Sequence, residues 1–320
     1  MSPAARAGRI GVISNPHSRA LRGGRFALGA AAAAASMPRA APESREALAE
    51  ALARFAAEEV DLVAVQGGDG TLREVLTALP AAYGERPPAI AVLATGKTNL
   101  AARVLGSAGP GEAALARLRD AAFRGTLRRR LLPVLEVALP GMEAAPLRGL
   151  LFGAGAFTDA KLLAERSLHR RGVHDRLAVL LALGGTALRS LGGRGHPLRE
   201  GAPMGISADG AAMREGRRFL LLATPLERLM LGLWPFWGEG DGPLRWLEVD
   251  APPNRLPAAL LAAFRGQPWR WMPGAGYRSG RAERIALRLE APFVLDGEVF
   301  EPGPEGLLLS APGRVAFVAP

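Results

Sequence analysis

The sequence predicts an α/β domain built on a parallel sheet, followed by a β-sandwich-like domain that carries a helical insertion. In the first third of the chain, short buried-strand patterns alternate with helical patterns. From about residue 127 onward, short apolar runs end at Pro, Gly or Asp, and one long helical stretch over 159–191 interrupts them. Strand–helix alternation is typical of a parallel sheet, and closely spaced short strands are typical of an antiparallel one.

Three strands and two helices carry the first domain. The segment "RIGVISNP" predicts a buried strand ended by Asn-Pro, and "DLVAVQ" and "AIAVLA" predict two more. Between the first two, "PESREALAEALARFAAEEV" predicts an amphipathic helix with Leu48, Leu52 and Phe55 on one face. The segment "TLREVLTALPAAY" predicts the next helix. This order places functional loops at the carboxyl ends of the strands.

The length of 320 residues exceeds one typical core and suits two domains. The change of pattern places the boundary at residue 126, so that 1–126 form the α/β domain and 127–320 the β-rich domain. The extreme C-terminus is expected to pack back on the first domain. A cleft between two domains is the default place for a site.

The composition excludes several classes of protein. The chain has no cysteine, which excludes disulfides, thiolate metal sites and cysteine nucleophiles. Its four histidines are scattered, which disfavours a histidine-based metal centre. The best candidate for a membrane span has about a dozen uncharged residues before Arg189, short of the roughly 20 that cross a bilayer. The N-terminus also lacks the apolar core of a secretory signal. We therefore expect a cytoplasmic protein that is not integral to a membrane.

The formal net charge of +10 favours anionic partners. We expect peripheral association with the anionic inner face of the membrane, although a solvated arginine-rich surface explains the charge equally well. The apolar segment 229–237 contains Trp234 and Trp237, which indicate either core packing or a lip that contacts lipid. Nucleic acid is not an expected partner, because the few aromatic residues do not alternate with the basic clusters. A homodimer is compatible with the sequence.

The segment Gly67-Gly68-Asp69-Gly70-Thr71 separates the second strand from the helix that follows it. Four residues are expected to make the reversal, with glycines that permit positive φ and close approach of a ligand to the backbone. N–H groups at a helix start attract anions, and Asp69 suits Mg²⁺ that accompanies a polyphosphate. Thr71 and Glu74 have the spacing of a capping box. The pattern predicts phosphate binding; the alternative is a capped turn without a ligand.

Polar residues also follow the first and third strands. Asn15, Pro16 and Ser18 end the first strand, and the loop 95–99 ends the third. That loop is not a P-loop, because the first glycine of the pattern would fall on Ala91, inside the strand. Lys97 can neutralise phosphate charge, or it can be an exposed lysine of an ordinary strand–helix loop. We expect the three strand ends to form one site.

Asp296, Gly297 and Glu298 lie between two predicted strands near the end of the chain. An Asp-Gly pair in that position is a common hairpin turn. The residues alone therefore leave a structural role as the simplest interpretation.

Taken in order, these motifs resemble the diacylglycerol kinase catalytic domain family, which includes bacterial lipid kinases and sphingosine kinases and is related to NAD kinases. The resemblance is carried by GGDGT with Glu74, by Asn15-Pro16, and by "GKTNLAARVLG", "FGAGAFTDA" and the late Asp296-Gly297-Glu298. GGDGT is shared with NAD kinases and phosphofructokinases. The late motif and the β-rich second half favour lipid kinases.

The resemblance implies that ATP and Mg²⁺ are cofactors and that ATP meets a lipid substrate between the domains. It implies that Asp296 is the general base, and that Asp69, Asp241 and Glu298 serve the metal. The nucleotide-binding residues that it predicts are Asn15, Pro16, Ser18, Gly67, Gly68, Asp69, Gly70, Thr71, Glu74, Thr95, Gly96, Lys97, Thr98 and Asn99.

The chain departs from the family pattern at three places. In the family's G-T-x-N-D segment the threonine is displaced by one position and Leu100 replaces the carboxylate, and Arg19 replaces the glycine of the N-P-x-S-G segment. The glycines typical before the family's metal loop are replaced by "LERLMLGLWPFW". We predict an ATP-dependent lipid kinase that converts diacylglycerol, the family's default acceptor, to phosphatidic acid. The alternatives are a soluble phosphotransferase similar to NAD kinase and a non-catalytic protein that binds nucleotide or lipid.

Overall fold

The computed structural model describes residues 9–16, 37–94, 100–162, 199–229 and 234–320. The chain divides into two compact units. The first unit comprises Met1–Leu132 and Arg314–Pro320, and the second comprises Pro133–Gly313. The division falls after Leu132, whereas the sequence places the boundary at residue 126. Each unit has its own hydrophobic core.

The first unit contains a six-stranded sheet with the strand order β2-β1-β3-β4-β17-β5. The pairs β1–β2, β1–β3, β3–β4 and β4–β17 are all parallel. The strand β17 comes from the C-terminus of the chain and lies beside β4. The strands are β1 (Ile10–Ser14), β2 (Arg39–Ala40), β3 (Leu62–Gly67), β4 (Ala89–Ala94), β5 (Arg128–Pro133) and β17 (Arg314–Ala319).

Helices cover both faces of this sheet, which confirms the predicted α/β class. Ala114, Leu115 and Leu118 of one helix join a core with Val12, Leu62 and other strand residues on one face. On the other face Gly11 allows close approach of a helix, because a Cβ added there would lie 2.7 Å from the Phe55 ring. The helices are α1 (Arg45–Ala57), α2 (Asp69–Tyr83), α3 (Leu100–Leu105) and α4 (Gly111–Phe123).

The second unit is an antiparallel sheet of eleven strands. The strand β10 branches the sheet, because it pairs with β9, β8 and β11 along its length. The predicted β-rich half is thus confirmed, with its strands hydrogen-bonded as one continuous sheet. The strands are β6 (Leu135–Ala138), β7 (Leu147–Gly149), β8 (Phe152–Gly155), β9 (Ala202–Ala208), β10 (Arg214–Thr224), β11 (Leu244–Asp250), β12 (Tyr277–Ala282), β13 (Arg284–Leu289), β14 (Phe293–Leu295), β15 (Glu298–Phe300) and β16 (Leu307–Ser310).

Among the described residues of the second unit, the α-helix α5 (Leu256–Arg265) lies between β11 and β12. Residues 156–162 are also helical and follow β8 directly. The remainder of the predicted helical stretch, from residue 163 onward, lies outside the described residues. None of the helices within the described ranges is long and apolar enough to cross a membrane.

Two apolar clusters fill the second unit, and alternate residues of the strands contribute to each. Leu221 and Ala223 of β10 belong to the first cluster, while Phe219 and Leu222 belong to the second. Trp234 and Trp237 are partly buried against the second cluster. These two tryptophans therefore follow the core-packing interpretation of their segment.

A buried carboxylate ties β10, β11 and β12 together. Glu248 has no exposed side-chain surface, and its Oε1 lies 3.1 Å from Arg278 Nη1 and 3.3 Å from Arg214 Nη2. Arg218 Nη1 and Arg278 Nη2 in turn lie 3.2 and 2.9 Å from the oxygens of Asp250. A carboxylate taken out of water in this way requires its cationic partners.

We predict that Glu248→Ala lowers the free energy of unfolding by about 1–3 kcal/mol, because Arg214 loses its partner while Arg218 and Arg278 keep Asp250. Urea unfolding monitored by circular dichroism measures the change. The matched control is Glu215→Ala, which breaks an exposed pair with Arg288 and is expected to cost about 1 kcal/mol or less. Equal costs for the two variants would contradict a structural role for the buried cluster.

Candidate functional site

The carboxyl ends of β1, β3 and β4 lie side by side at one edge of the first unit's sheet. Ser14 pairs in register with Gln66, and Gly67 pairs with Ala94. The backbone N–H of Asn15 donates to the Gln66 carbonyl at 3.0 Å, and the Ser14 hydroxyl donates to Gln66 Oε1 at 2.8 Å. Gln66 is completely buried. The parallel pairing and this buried amide fix the strand ends that were expected to form the site.

The connection between β3 and α2 is tighter than the predicted four-residue reversal. The strand continues through Gly67 and the helix begins at Asp69, so that Gly68 alone connects them. Gly68 is extended, with φ of −95° and ψ of −172°. None of Gly67, Gly68 and Gly70 has a positive φ. The expectation that these glycines serve a left-handed conformation is therefore wrong.

Close packing explains Gly67 instead. A Cβ added to Gly67 would lie 2.5 Å from both Cβ and Oγ1 of Thr71, a distance that real contacts do not allow. The missing side chain lets the first turn of α2 pack directly on the end of β3. The glycine thus brings the backbone of the helix start to the edge of the sheet.

Thr71 does not cap the helix, which corrects the capping box expected with Glu74. The N-cap is Gly68, and no side chain bonds to the cap. Thr71 is buried, and its Oγ1 accepts a hydrogen bond from Asn15 Nδ2 at 2.9 Å. Because the hydroxyl is turned toward β1, it joins the ends of two strands rather than closing the helix.

Glu74 is held by arginines. Its Oε1 lies 3.4 Å from Arg73 Nη2 and 3.9 Å from Arg45 Nε. Arg73 is 1% exposed, whereas Glu74 is about one third exposed. The two arginines, one from α1 and one from α2, hold the Glu74 carboxylate in the second turn of α2. Direct contact of Glu74 with nucleotide stays a prediction.

The start of α2 has the features of an anion site. The first N–H groups of a helix lack intrahelical partners and carry the positive end of the helix dipole. Gly68, Asp69 and Gly70 are all partly exposed, so that a ligand can reach the backbone at this turn. The geometry therefore supports phosphate contact by backbone N–H groups, as at other glycine-rich strand–helix junctions.

Several predicted residues of this site cannot be placed. Ser18 and the loop residues Thr95, Gly96, Lys97, Thr98 and Asn99 lie outside the described residues. Pro16 is described and follows Asn15 at the end of β1. The helix α3 begins at Leu100, directly after the loop.

Asp296 lies in the second unit, in a two-residue turn between β14 and β15. Leu295 pairs with Glu298, and Asp296 and Gly297 have φ of 49° and 83°. Two positive φ values in succession define the type I′ hairpin that an Asp-Gly pair favours. The structural interpretation of this motif is thus correct as far as the backbone is concerned.

The side chain of Asp296 has a further role. Its Oδ1 accepts hydrogen bonds from the backbone N–H groups of Leu150 and Leu151 at 3.0 and 2.8 Å, and the Leu150 N–H also lies 3.0 Å from Oδ2. A Cβ on Gly149 would lie 2.6 Å from Oδ2, so the glycine makes room for the carboxylate. The partly buried carboxylate is therefore held in one orientation between β7 and β8.

Asp209 has the same local geometry elsewhere in the second unit. Asp209 and Gly210 have φ of 49° and 76°, and Asp209 Oδ1 accepts from the N–H groups of Glu283 and Arg284 at 2.9 and 2.8 Å. Asp209 is exposed, whereas Asp296 is partly buried. An aspartate whose carboxylate accepts hydrogen bonds from two backbone N–H groups therefore occurs twice in the described part of this unit. The two aspartates differ in the exposure of their side chains.

The other two metal candidates in the second unit differ in exposure. Asp241 is exposed and precedes β11, and Glu298 is partly buried at the start of β15. Among the described residues, no group of three or more His, Cys, Asp or Glu side chains could hold a metal ion. Mg²⁺ needs only one or two carboxylates when phosphates and waters complete its shell. Asp69 fits such a site, and the metal roles of all three carboxylates stay predictions.

Sequence reasoning missed the residues that support Asp296. The hydroxyl of Thr224, a fully buried residue, donates to the Leu150 carbonyl at 2.6 Å and accepts from the Leu226 N–H at 3.1 Å. This holds the segment whose N–H groups bind the aspartate. Backbone donors leave no signal in side-chain identity, and a lone threonine at a strand end gives none either.

Asp159 is a second residue that the motifs did not single out for chemistry. It lies in the helical residues 156–162, and burial raises the pKa of its carboxyl above the usual value. The neighbouring Thr158 donates to the carbonyl of Pro292 at 3.2 Å, just before β14. Asp159 thus belongs to the segment that packs beside the strand leading to Asp296.

Comparison with known proteins supports the resemblance drawn from the motifs. Residues 9–126 match the model of the diacylglycerol kinase catalytic domain. No curated protein matches the sequence well enough to count as a relative. The resemblance to this family is therefore confirmed over residues 9–126, and the match supports a phosphotransferase.

Solved structures show the same fold over nearly the whole chain. A crystal structure of a diacylglycerol kinase from Bacillus anthracis str. Sterne has a TM-score of 0.59 and 18% identity, and the match covers 98% of this chain and 97% of that one. A second structure from the same strain has a TM-score of 0.63 and 17% identity with the same coverage. At such identity the similarity concerns the fold.

We predict that the hydrogen bond between Asn15 and Thr71 couples the two residues by about 0.5–1.5 kcal/mol in the free energy of unfolding. A double-mutant cycle of Asn15→Ala and Thr71→Val, measured by urea unfolding, tests this. As a control, Asn15→Ala and Ser107→Ala should add independently, because the Ser107 hydroxyl bonds to the Val92 carbonyl instead. Additivity in the first cycle would show that the hydrogen bond does not hold the strand ends.

Proposed function

We propose that the protein is an ATP-dependent lipid kinase that transfers the γ-phosphoryl group to the free hydroxyl of diacylglycerol, forming phosphatidic acid. The observation that carries the proposal is the start of α2 at the carboxyl end of β3. Because Gly67 has no side chain, the helix begins directly at the strand end, where its first N–H groups can donate to an anion. This turn lies within the residues that match the diacylglycerol kinase catalytic domain. The match supports a phosphotransferase, and the choice of ATP and of diacylglycerol is the proposal.

In this proposal the first unit binds the phosphates. Backbone N–H groups at Gly68 to Thr71 donate to phosphate oxygens, and the helix dipole favours their negative charge. Asn15 fixes Thr71 and so keeps the turn in place. From the loop that lies outside the described residues, Lys97 would offset the charge that develops on the transferred group.

Mg²⁺ would neutralise charge on the nucleotide phosphates when it is bound. Asp69 is the residue of the first unit that could hold it, directly or through water, because it is partly exposed in the first turn of α2. Asp241 and Glu298 are the proposed contributors from the second unit. The residues present are compatible with the metal.

Asp296 is the proposed general base. Its carboxylate accepts the proton of the acceptor hydroxyl while the hydroxyl oxygen forms a bond to the γ-phosphorus and the bond to the β–γ bridging oxygen breaks, which leaves ADP. The N–H groups of Leu150 and Leu151 hold the carboxylate in one orientation before the substrate binds. The reaction then does not lose the side-chain entropy of orienting it. Such pre-orientation is what a catalytic base requires.

We predict that Gly67→Ala raises the KM for ATP by about tenfold or more, because the new methyl group displaces Thr71 and the first turn of α2. Steady-state kinetics with diacylglycerol in mixed micelles measure the change. The matched control is Gly274→Ala, since a Cβ there meets nothing within 4 Å. An unchanged KM in a folded Gly67→Ala protein would remove this turn from the ATP site.

We predict that Asp296→Asn lowers kcat by about 10²–10⁴-fold while ATP binding persists. Asparagine tolerates the positive φ and can accept the hydrogen bond from Leu151, so the turn is expected to survive. Label from γ-phosphate-labelled ATP is followed into the organic phase, and ATP binding is measured by calorimetry.

The control for this test is Asp209→Asn, which changes the same kind of turn without the proposed chemistry and should retain activity. Full activity in Asp296→Asn would remove the residue from catalysis. Label that stays in the aqueous phase with a soluble acceptor would favour a phosphotransferase similar to NAD kinase. Nucleotide binding without turnover on any lipid would favour a non-catalytic protein.

A further inference from the structure

The helix α5 presents apolar side chains on both of its sides. Leu256, Ala259 and Ala262 are buried in the second cluster of the second unit. Leu260 and Leu261 point away from that cluster and are 37% and 48% exposed. Solvent-facing positions of a helix on a soluble protein are normally polar. An apolar outer side therefore indicates a surface that is covered when the protein works.

Trp269 extends this apolar surface beyond the end of the helix. It is 38% exposed, and its backbone N–H lies 3.3 Å from the sulfur of Met272, which is buried in the same cluster as the inner side of α5. In the part of the chain that the structure describes, six large hydrophobic side chains are exposed, and three of them are Leu260, Leu261 and Trp269. We call these three residues the α5 apolar surface.

The chain segment that carries this surface has charges of one sign. No Asp or Glu occurs between Asp250 and Tyr277, a stretch that contains Arg255, Arg265 and Arg270. Arg255 and Arg270 are exposed at either end of the segment, and the Arg255 guanidinium lies 5.5 Å from the centroid of the Trp271 ring. Exposed leucines and a tryptophan on a segment whose only charged residues are arginines complement a surface that is apolar inside and anionic at its rim.

We propose that the α5 apolar surface docks the second unit on an anionic lipid bilayer. Leu260 and Leu261 insert at the boundary between headgroups and acyl chains, as the apolar face of an interfacial helix does. Trp269 lies at the headgroup level, where tryptophan is enriched, and Arg255 and Arg270 bind anionic headgroups. Trp234 and Trp237, which the sequence suggested for lipid contact, instead pack against the cluster that contains the buried side of α5.

Two features favour a bilayer over a protein partner. A helix with leucines on its outer side and arginines at its ends needs no shape-matched groove on a lipid surface. The absence of acidic residues also leaves a second copy of this surface without any complementary charge, since two such surfaces would repel each other. The inference deepens the proposed lipid kinase function, because it states how the protein reaches an acceptor that resides in a membrane.

Vesicle sedimentation tests the proposal with the full chain and without diacylglycerol or ATP. We expect binding to vesicles of phosphatidylcholine with phosphatidylglycerol, weak binding to phosphatidylcholine alone, and a loss of binding in high salt. Leu260→Gln/Leu261→Gln should lower the partition coefficient by about tenfold or more, and Arg270→Gln by about fivefold. The matched control is Phe123→Gln/Met142→Gln, which removes two exposed apolar side chains elsewhere and should bind as the wild type does.

The opposite results would overturn the proposal. Unchanged binding of the leucine variant, or equal binding to neutral and anionic vesicles, contradicts it. A leucine variant that converts a dimer to a monomer in sedimentation experiments without lipid would identify the surface as a protein interface. If the leucine variant does not fold, brominated phosphatidylcholine in anionic vesicles should quench the fluorescence of the wild type more than that of Trp269→Phe. Equal quenching would contradict insertion at Trp269.

This test stands apart from the test of the kinase. Vesicle binding is measured without substrates, so it can succeed when no lipid is phosphorylated. Conversely, diacylglycerol phosphorylated in detergent micelles with no vesicle binding would retain the function and reject the docking surface.

Discussion

The contact between Gly67 and Thr71 is the constraint on which the proposed phosphate site depends. The parallel pairing of β1, β3 and β4 brings three strand ends to one edge, but only a residue without a side chain lets α2 begin directly there. Thr71 then accepts the Asn15 hydrogen bond from the next strand. In the proposed site, backbone donors rather than side chains would bind the anion. Close packing thus explains Gly67, although none of the glycines of this turn has a positive φ.

The second unit holds its proposed catalytic carboxylate by a related principle. Asp296 is fixed by the N–H groups of Leu150 and Leu151, and that segment is fixed in turn by buried Thr224. Asp209 repeats the turn and its two N–H donors at an exposed position. One Asp-Gly pair can therefore form a hairpin turn and also present an oriented carboxylate. Buried Thr224 makes the orientation of the Asp296 carboxylate rigid, and the proposed chemistry requires that a substrate hydroxyl reach it.

Charge is used in two ways within the same unit. Around the buried Glu248, arginines and carboxylates are paired, which ties β10, β11 and β12 together. Along the segment that joins β11 to β12, arginines occur without acidic residues, and leucines and a tryptophan face outward. The first arrangement stabilises the fold, because each charge has a partner. The second leaves positive charge and apolar surface for a partner, and an anionic bilayer has both complementary features.

By itself, the sequence determined the α/β and β-rich classes, the strands whose ends meet at the candidate site, and the resemblance to the diacylglycerol kinase catalytic domain, because these depend on periodicity and on local motifs. Tertiary structure decided the rest. The capping role expected for Thr71 is wrong, since the helix begins two residues earlier, at Asp69, and the Thr71 hydroxyl accepts a hydrogen bond from Asn15. The support of Asp296 comes from residues about 145 positions away in the chain. The outward leucines of α5 became visible only when packing buried its other side, because a helix that is apolar all round does not reveal from sequence which side meets the core.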